Sequence, residues 1–334
     1  MAESMRTEIV PFESGFVAQA ANLLAETHTH VGTGTGALDL ADADVARRLV
    51  AQWQGTGPAV AAVRDGALTG FMAAGLPCTP GEQWARVRLP QHACARSQDR
   101  RATYRSLYAA LSGQLVSIGA YEHALEVSAG DHDTISCFVE LSFGIDHIRG
   151  FRPVTRPEAP AGPPRGTRLR TARAGDLDRM FDLAVELQRF HAGPPALRPA
   201  PPDLRPIRDS LRAALSDEGQ LLLVAEEEEH GHLTGLIQAA PDTHYLGAAT
   251  IGIAAVTARS RSTGVGTALV AAAEKWAAGR GFATYGTNWS SANQVSDAFW
   301  RGRGMIPAQF KLRRLIDSRV VWADARLSYG QGAP

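Results

Sequence analysis

Apolar residues recur at helical and strand spacing in an order that the chain runs through twice. A strand-like stretch at 7–11 precedes a helical one over about 15–26, and a strand-like 167–172 precedes a helical 176–190. In the second helix Leu177, Met180, Phe181, Ala184, Val185 and Leu187 fall mostly on one face, and Asp176 stands where an N-cap would. Each half then reads as a further helix, a strand pair around a turn, another strand, a helix, a strand and a last helix. The stretches 58–71 and 220–237 read as one hairpin used twice.

Pro and Gly crowd 154–166, where neither a helix nor a central strand can run, so the pattern divides into 1–153, a linker at 154–166, and 167–334. A shift of 160 residues brings Arg261 onto Arg101, Asn293 onto Asp133, Ser296 onto Ser136 and Gly304 onto Gly144. With the shared order of elements, that register predicts one fold present twice.

Composition narrows the function classes. A length of 334 residues suits about two domains. The 34 basic and 34 acidic side chains cancel, which removes the positive field that drives nucleic-acid binding. Cys78, Cys94 and Cys137 are too widely spaced for a disulfide framework or a Cys-x-x-Cys zinc or redox pair, and no metal site is expected. The N-terminus has no apolar core behind a basic start, and no apolar run reaches about 18 residues. A soluble, cytoplasmic protein without a membrane partner is the expectation.

The segment 249–276 carries the strongest chemical signal. A small, apolar strand ends at Val256, a polar turn follows, and Gly264 and Gly266 open a helix rich in Ala, Leu and Val. The free N–H groups of a first helical turn point at an end that carries partial positive charge, and glycines let an anion approach the backbone. Arg259 and Arg261 add charged donors. No Gly-Lys-Ser/Thr follows and the glycines do not form GxGxxG, so neither a Walker loop nor a dinucleotide fingerprint is present.

The spacing Arg261-x-x-Gly264-x-Gly266 between a strand and a long helix resembles the R/Q-x-x-G-x-G/A pyrophosphate loop of the GNAT superfamily of N-acetyltransferases. Asn293, Ser296, Trp300 and Gly304 are similar in spacing to that family's N-x-x-A-x-x-x-Y-x-x-x-G run. The resemblance covers 167–317 and implies an α/β fold in two tandem copies, each a mostly antiparallel mixed sheet flanked by helices. It also implies an acetyl-CoA site, with another acyl-CoA as a variant. Main-chain groups of Ala254, Ala255 and Val256 would hold the pantetheine arm where the strand parts from a second one at 282–289. Arg261, Ser262, Thr263, Gly264, Val265, Gly266 and Thr267 would surround the pyrophosphate, with Asn293, Ser296 and Trp300 alongside.

By the same resemblance the reaction is direct attack of an amine on the thioester, with a backbone N–H near Ala255 or Val256 contacting the carbonyl. The family's tyrosine acid is replaced by Trp300, whose indole N–H donates a hydrogen bond but is no general acid. Tyr285 is a substitute donor or simply a core tyrosine. The strand 251–256 has no carboxylate, and His191, at the end of a helix beside the Pro-rich loop 193–206, is either a base or a helix C-cap. The acceptor expected is an amine of a small molecule, such as a secondary-metabolite intermediate. The alternative is a CoA-binding regulatory protein without turnover.

In the N-terminal half the shifted positions hold Tyr104 and Ser106 for the loop glycines and Glu140 for Trp300, so a degenerate copy is expected, with Tyr104 crowding the phosphate approach. Arg96, Arg100, Arg101 and Arg105 could still hold an anion through side chains. The Gly-rich run 31–37 follows a helix and no strand, and the pairs His28/His30 and His230/His232 lack further ligands at metal spacing.

Overall fold

Alternating burial in the strands explains how one sheet supports two cores. The computed structural model describes residues 7–31, 40–78, 82–155, 162–199, 201–243, 245 and 247–323. The Gly-rich run at 32–37 and the His30 side chain lie outside the described residues. By contacts the chain divides into two units, one formed by the described residues up to 147 and from 308 onward, the other by 148–307.

Unit 1 contains β1 (Glu8–Pro11), α1 (Val17–Val31), α2 (Ala43–Trp53), β2 (Ala59–Arg64), β3 (Ala67–Ala73), β4 (Trp84–Val87), β5 (His92–Cys94), α3 (Arg100–Ser117), β6 (Glu122–Ser128) and α4 (His132–Glu140). Strands β1, β2, β3 and β5 pair antiparallel in that order, and β4 pairs parallel with β6. Along β2 and β3, Val60, Ala62 and Met72 join the core under α3, while Ala61, Phe71 and Ala73 join a second core under α1 and α2. The period of two in the strand thus feeds both faces.

Unit 2 takes most of β7 (Gly144–Pro153), then β8 (Thr167–Thr171), α5 (Leu177–Ala192), α6 (Arg205–Leu215), β9 (Leu221–Glu227), β10 (Leu233–Pro241), β11 (Ala248–Val256), α7 (Val265–Gly279), β12 (Thr284–Ser290) and α8 (Gln294–Gly302). Its strand order is β7-β12-β11-β10-β9-β8, antiparallel at β8/β9, β9/β10 and β10/β11 and parallel at β11/β12. Met180, Leu183 and Leu211 of α5 and α6 pack on Leu222, Val224 and Leu236. Helix α7 lies close to β10 because Gly235 has no side chain: a Cβ there would come within 2.9 Å of Leu269 and 3.0 Å of Val265.

The contact division falls elsewhere than the Pro/Gly stretch. The final strand, β13 (Ile306–Leu315), pairs antiparallel with β6 over Gln309↔Ser128 to Leu315↔Glu122, which puts Leu312 in the core of unit 1. Residues 148–153 of β7 belong to unit 2, where Phe151 is fully buried. Pairing between strands more than 150 residues apart leaves no local mark in a sequence.

One local expectation is corrected. Asp176 makes no side-chain cap to α5. Its carboxylate accepts from Arg170 (2.7 and 3.0 Å) and from the Arg173 N–H (2.8 Å), so it ties β8 to the turn before the helix. Among the described residues no helix is long and apolar enough to cross a membrane.

Candidate functional site in unit 2

The site begins with a parting of strands. β11 pairs with β12 from Ala248↔Thr284 to Ile251↔Thr287, and there the pairing ends. The Thr287 hydroxyl donates to the Ile251 carbonyl (3.0 Å) at the fork. On its other edge β11 continues against β10 as far as Val256↔Gly235, with a register shift that leaves Gly252 as the extra residue. A bulge of this kind bends the strand and ends pairing on one side. Ala254, Ala255 and Val256 are therefore paired to Ile237, Leu236 and Gly235, while their opposite edge has no strand beside it among the described residues.

Above the fork the chain turns through 257–264 into α7. The Thr257 N–H is anchored to the Thr234 carbonyl (2.9 Å), and the Thr263 hydroxyl donates to the Ser260 carbonyl (2.8 Å). Ser262 has φ +62 and Gly264, the N-cap, has φ +101. Gly264 makes no side-chain cap, and the space where a Cβ would stand has nothing within 4 Å. The two glycines differ in use. A Cβ on Gly266 would face the Phe299 ring at 3.4 Å and Val256 at 3.6 Å, so this glycine serves helix packing rather than the open end.

Two arginines flank the turn. Arg261 lies over the Phe190 ring at 4.3 Å and 3.8 Å from Glu186 Oε1, which also accepts the Ala258 N–H (3.0 Å). Two residues of α5 one turn apart thus hold the loop. Arg303, which sequence reasoning missed, lies over Phe299 at 4.4 Å, and its Nη2 donates to Thr267 Oγ1 in the first turn of α7. A basic residue just before the α8-terminating glycine is the only sequence signal that could have found it.

Helix α8 owes its start and end to the motif residues themselves. Asn293 caps it by accepting from the Ser296 N–H (3.0 Å). At its end the Gly304 N–H bonds the Arg301 carbonyl and the Met305 N–H the Trp300 carbonyl, with Gly304 at φ +76, a Schellman ending. Trp300 is 5% exposed, edge-on to Phe299.

The two catalytic candidates stand on elements that frame the fork: Tyr285 on β12, two residues before Thr287, and His191 at the end of α5. Tyr285 is 1% exposed and donates to Glu274 Oε2 of α7 (3.5 Å). Burial, then the Glu274 charge, pushes its pKa up to about 12. His191 sits in the last turn of α5, where its carbonyl accepts the Arg198 N–H (3.0 Å); it is the neighbouring Phe190 that meets the loop.

The matching region of unit 1 is built differently. Helix α3 starts at Arg100, five residues ahead of Arg105, the counterpart of Val265, so a helical turn replaces the open loop. Tyr104 is among the residues that line the cleft at this place, is 1% exposed, and donates its hydroxyl to His92 Nδ1 (3.1 Å). His92 Nε2 donates in turn to the Glu126 carbonyl (2.8 Å), so the imidazole bridges β5 and β6 where unit 2 has its fork. Burial lowers the His92 pKa to about 4, which keeps the ring neutral. A cleft of about 630 Å³ remains outside this bridge, lined by Arg96, Arg100, Arg101, Asp133 and Cys137 among others. Arg100 is bound to Asp131 (2.6 and 3.0 Å), and Arg101 and Arg105 both meet Glu140.

Comparison with known proteins gives this geometry a context. Residues 181–305 match the acetyltransferase (GNAT) family. No curated protein matches the chain by sequence. Among solved structures, a GCN5-related N-acetyltransferase from Sphaerobacter thermophilus is 16% identical with a TM-score of 0.66, over 92% of this chain and 95% of that one. A tandem GNAT protein from the clavulanic acid biosynthesis pathway, without acetyl-CoA, is 17% identical with a TM-score of 0.57, over 93% and 98%. A GNAT-family acetyltransferase from Colwellia psychrerythraea is 12% identical with a TM-score of 0.51, over 93% and 100%. These likenesses establish the fold along most of the chain, and the match over 181–305 spans the fork, the loop and α8. Residues 181–305 thus carry the acetyltransferase (GNAT) family match, and the chain as a whole shares the fold of these GNAT structures, a tandem one among them.

Proposed function

We propose that the chain is an N-acetyltransferase that moves an acetyl group from acetyl-CoA to an amine of a small molecule, at the fork of unit 2. The observation that carries this reading is the fork at Ile251↔Thr287 beneath a helix opened by Gly264 at φ +101. The free edge of Ala254, Ala255 and Val256 offers N–H and C=O groups to an extended amide-bearing arm. The turn from Arg261 to Thr267 offers N–H groups, a helix end and a cation to a diphosphate. Asn293, Ser296 and Trp300 form the neighbouring wall.

The residues then act mainly by orientation, which can supply about 7–11 kcal/mol of a barrier. A thiol with a pKa of about 8.5 leaves tolerably as thiolate, so transfer does not require an acid where Trp300 stands. Unit 1, with His92 across its fork, serves as a structural copy that takes no acetyl-CoA. The structural likeness to a tandem GNAT protein of the clavulanic acid biosynthesis pathway supports a secondary-metabolite acceptor. The three cysteines are free, which fits a reducing cytoplasm.

A second reading, a CoA-binding regulator without turnover, is favoured by Trp300 and by the enclosure of Tyr285. Free-thiol release from acetyl-CoA with amino acids, polyamines, aminosugars and peptides separates the two. Release with at least one amine class supports the enzyme, and CoA binding with no release across the panel supports the regulator.

A further inference from the structure

We propose that Arg303 is a second anion-binding arginine of the acyl-CoA site, holding a phosphate group of the nucleotide end beside the first turn of α7; this rests on the reading of unit 2 given above. The other enclosed arginines of unit 2 are neutralised: Arg149 by Asp242, Arg152 by Glu274, and Arg170 by Asp176 and Glu226. Arg303 has no carboxylate partner among the described residues. Its Nη2 donates only to the neutral Thr267 hydroxyl, and its Nε is enclosed and meets no acceptor.

The surroundings make that charge costly. A cation beside a helix N-terminus opposes the helix dipole. Arg152 adds like charge, since its Nη1 donates to the Arg303 carbonyl at 2.9 Å. Burial outweighs the neighbouring groups and lowers the Arg303 pKa. The guanidinium is nevertheless held in place, over the Phe299 ring at 4.4 Å, and that ring is in turn seated against Gly266. A fixed, half-buried and unneutralised arginine beside free helix N–H groups is balanced when an anion with several acceptor oxygens arrives. A phosphate fits, because a guanidinium can give it two parallel bonds. Arg261 differs in already having Glu186 near it, so Arg303 supplies the uncompensated charge.

The test is calorimetric titration of the full chain with CoA and with dephospho-CoA, for wild type, Arg303→Gln and Arg303→Met. The methionine keeps an apolar stem over Phe299 and stands in should the glutamine variant fail to fold. Both variants should bind CoA about 10- to 100-fold more weakly and raise KM for acetyl-CoA while kcat holds. A loss that vanishes with dephospho-CoA assigns the 3′-phosphate, and one that persists assigns the diphosphate; either outcome upholds the proposal. Inorganic pyrophosphate should raise the Tm of wild type more than that of either variant. Folded variants that bind CoA within twofold of wild type overturn the role of Arg303 alone, whereas wild type that fails to bind CoA overturns the reading of unit 2.

Discussion

Gly264 and Gly266 offer a controlled experiment because the fold uses them for different purposes. Gly264→Ala forces a side chain into a φ of +101, which costs about 1–2 kcal/mol, while the added methyl meets no protein atom within 4 Å. For a domain of this size, Tm should fall by roughly 2–8 °C. The same methyl enters the space from which a diphosphate would approach the helix N–H groups. Losing one charge-assisted bond of about 1.5–3 kcal/mol weakens binding roughly 10- to 150-fold. In Gly266→Ala the methyl points instead at Phe299, 3.4 Å away, so a small change in Tm and less than about a threefold change in CoA affinity are expected. Calorimetry with CoA, run beside thermal melts, reads both quantities. A folded Gly264→Ala that binds CoA like wild type would refute the assignment of the anion site to this turn.

Three further outcomes are expected. The Asp176 pKa is lowered to about 2, first by its bonds from Arg170, so its stabilisation is complete above about pH 4 and is lost as pH falls through about 2. Asp176→Asn should cost about 2 kcal/mol near neutrality and close that gap by pH 2 in denaturant titrations; a gap independent of pH would contradict the pairing. Separately expressed 1–153 and 154–334 should lack a cooperative melt, because the first loses β13 from the edge of β6 and the second loses Phe151, and co-expression should restore it; a stable isolated half would show that the exchanged strands are dispensable. Tyr285→Phe should keep turnover within about tenfold of wild type and leave the pH–rate profile unshifted, whereas a loss of about 10²–10⁴ would return the phenol to a proton-donor role.

What was legible in the sequence was local. The apolar run up to Val256, the glycines after it and the Asn293 to Gly304 spacing each encode a strand end, a helix start or a cap, and these appear where the residues stand. The failures lie where partners are remote. Nothing near Leu312 or Phe151 announces that each is buried in the unit other than the one its position suggests. Asp176 reads as a cap because Asp commonly is one, yet Arg170 and Arg173 offered its carboxylate better donors. Tyr104 aligns with a loop glycine, yet α3 begins early enough to place it in a helix and bring its hydroxyl onto His92. Arg303 leaves no local mark because what distinguishes it is a missing counter-charge among the described residues, which depends on its neighbours in space.

The most direct test of the account is the stoichiometry of acetyl-CoA binding to the full chain by calorimetry, repeated with Gly264→Tyr and with Arg101→Ala. One molecule per chain is predicted, abolished by the change at the α7 turn and unaffected by the change in the cleft of unit 1, where His92 spans the strands. Binding that survives Gly264→Tyr and is lost with Arg101→Ala, or two molecules per chain, would contradict it.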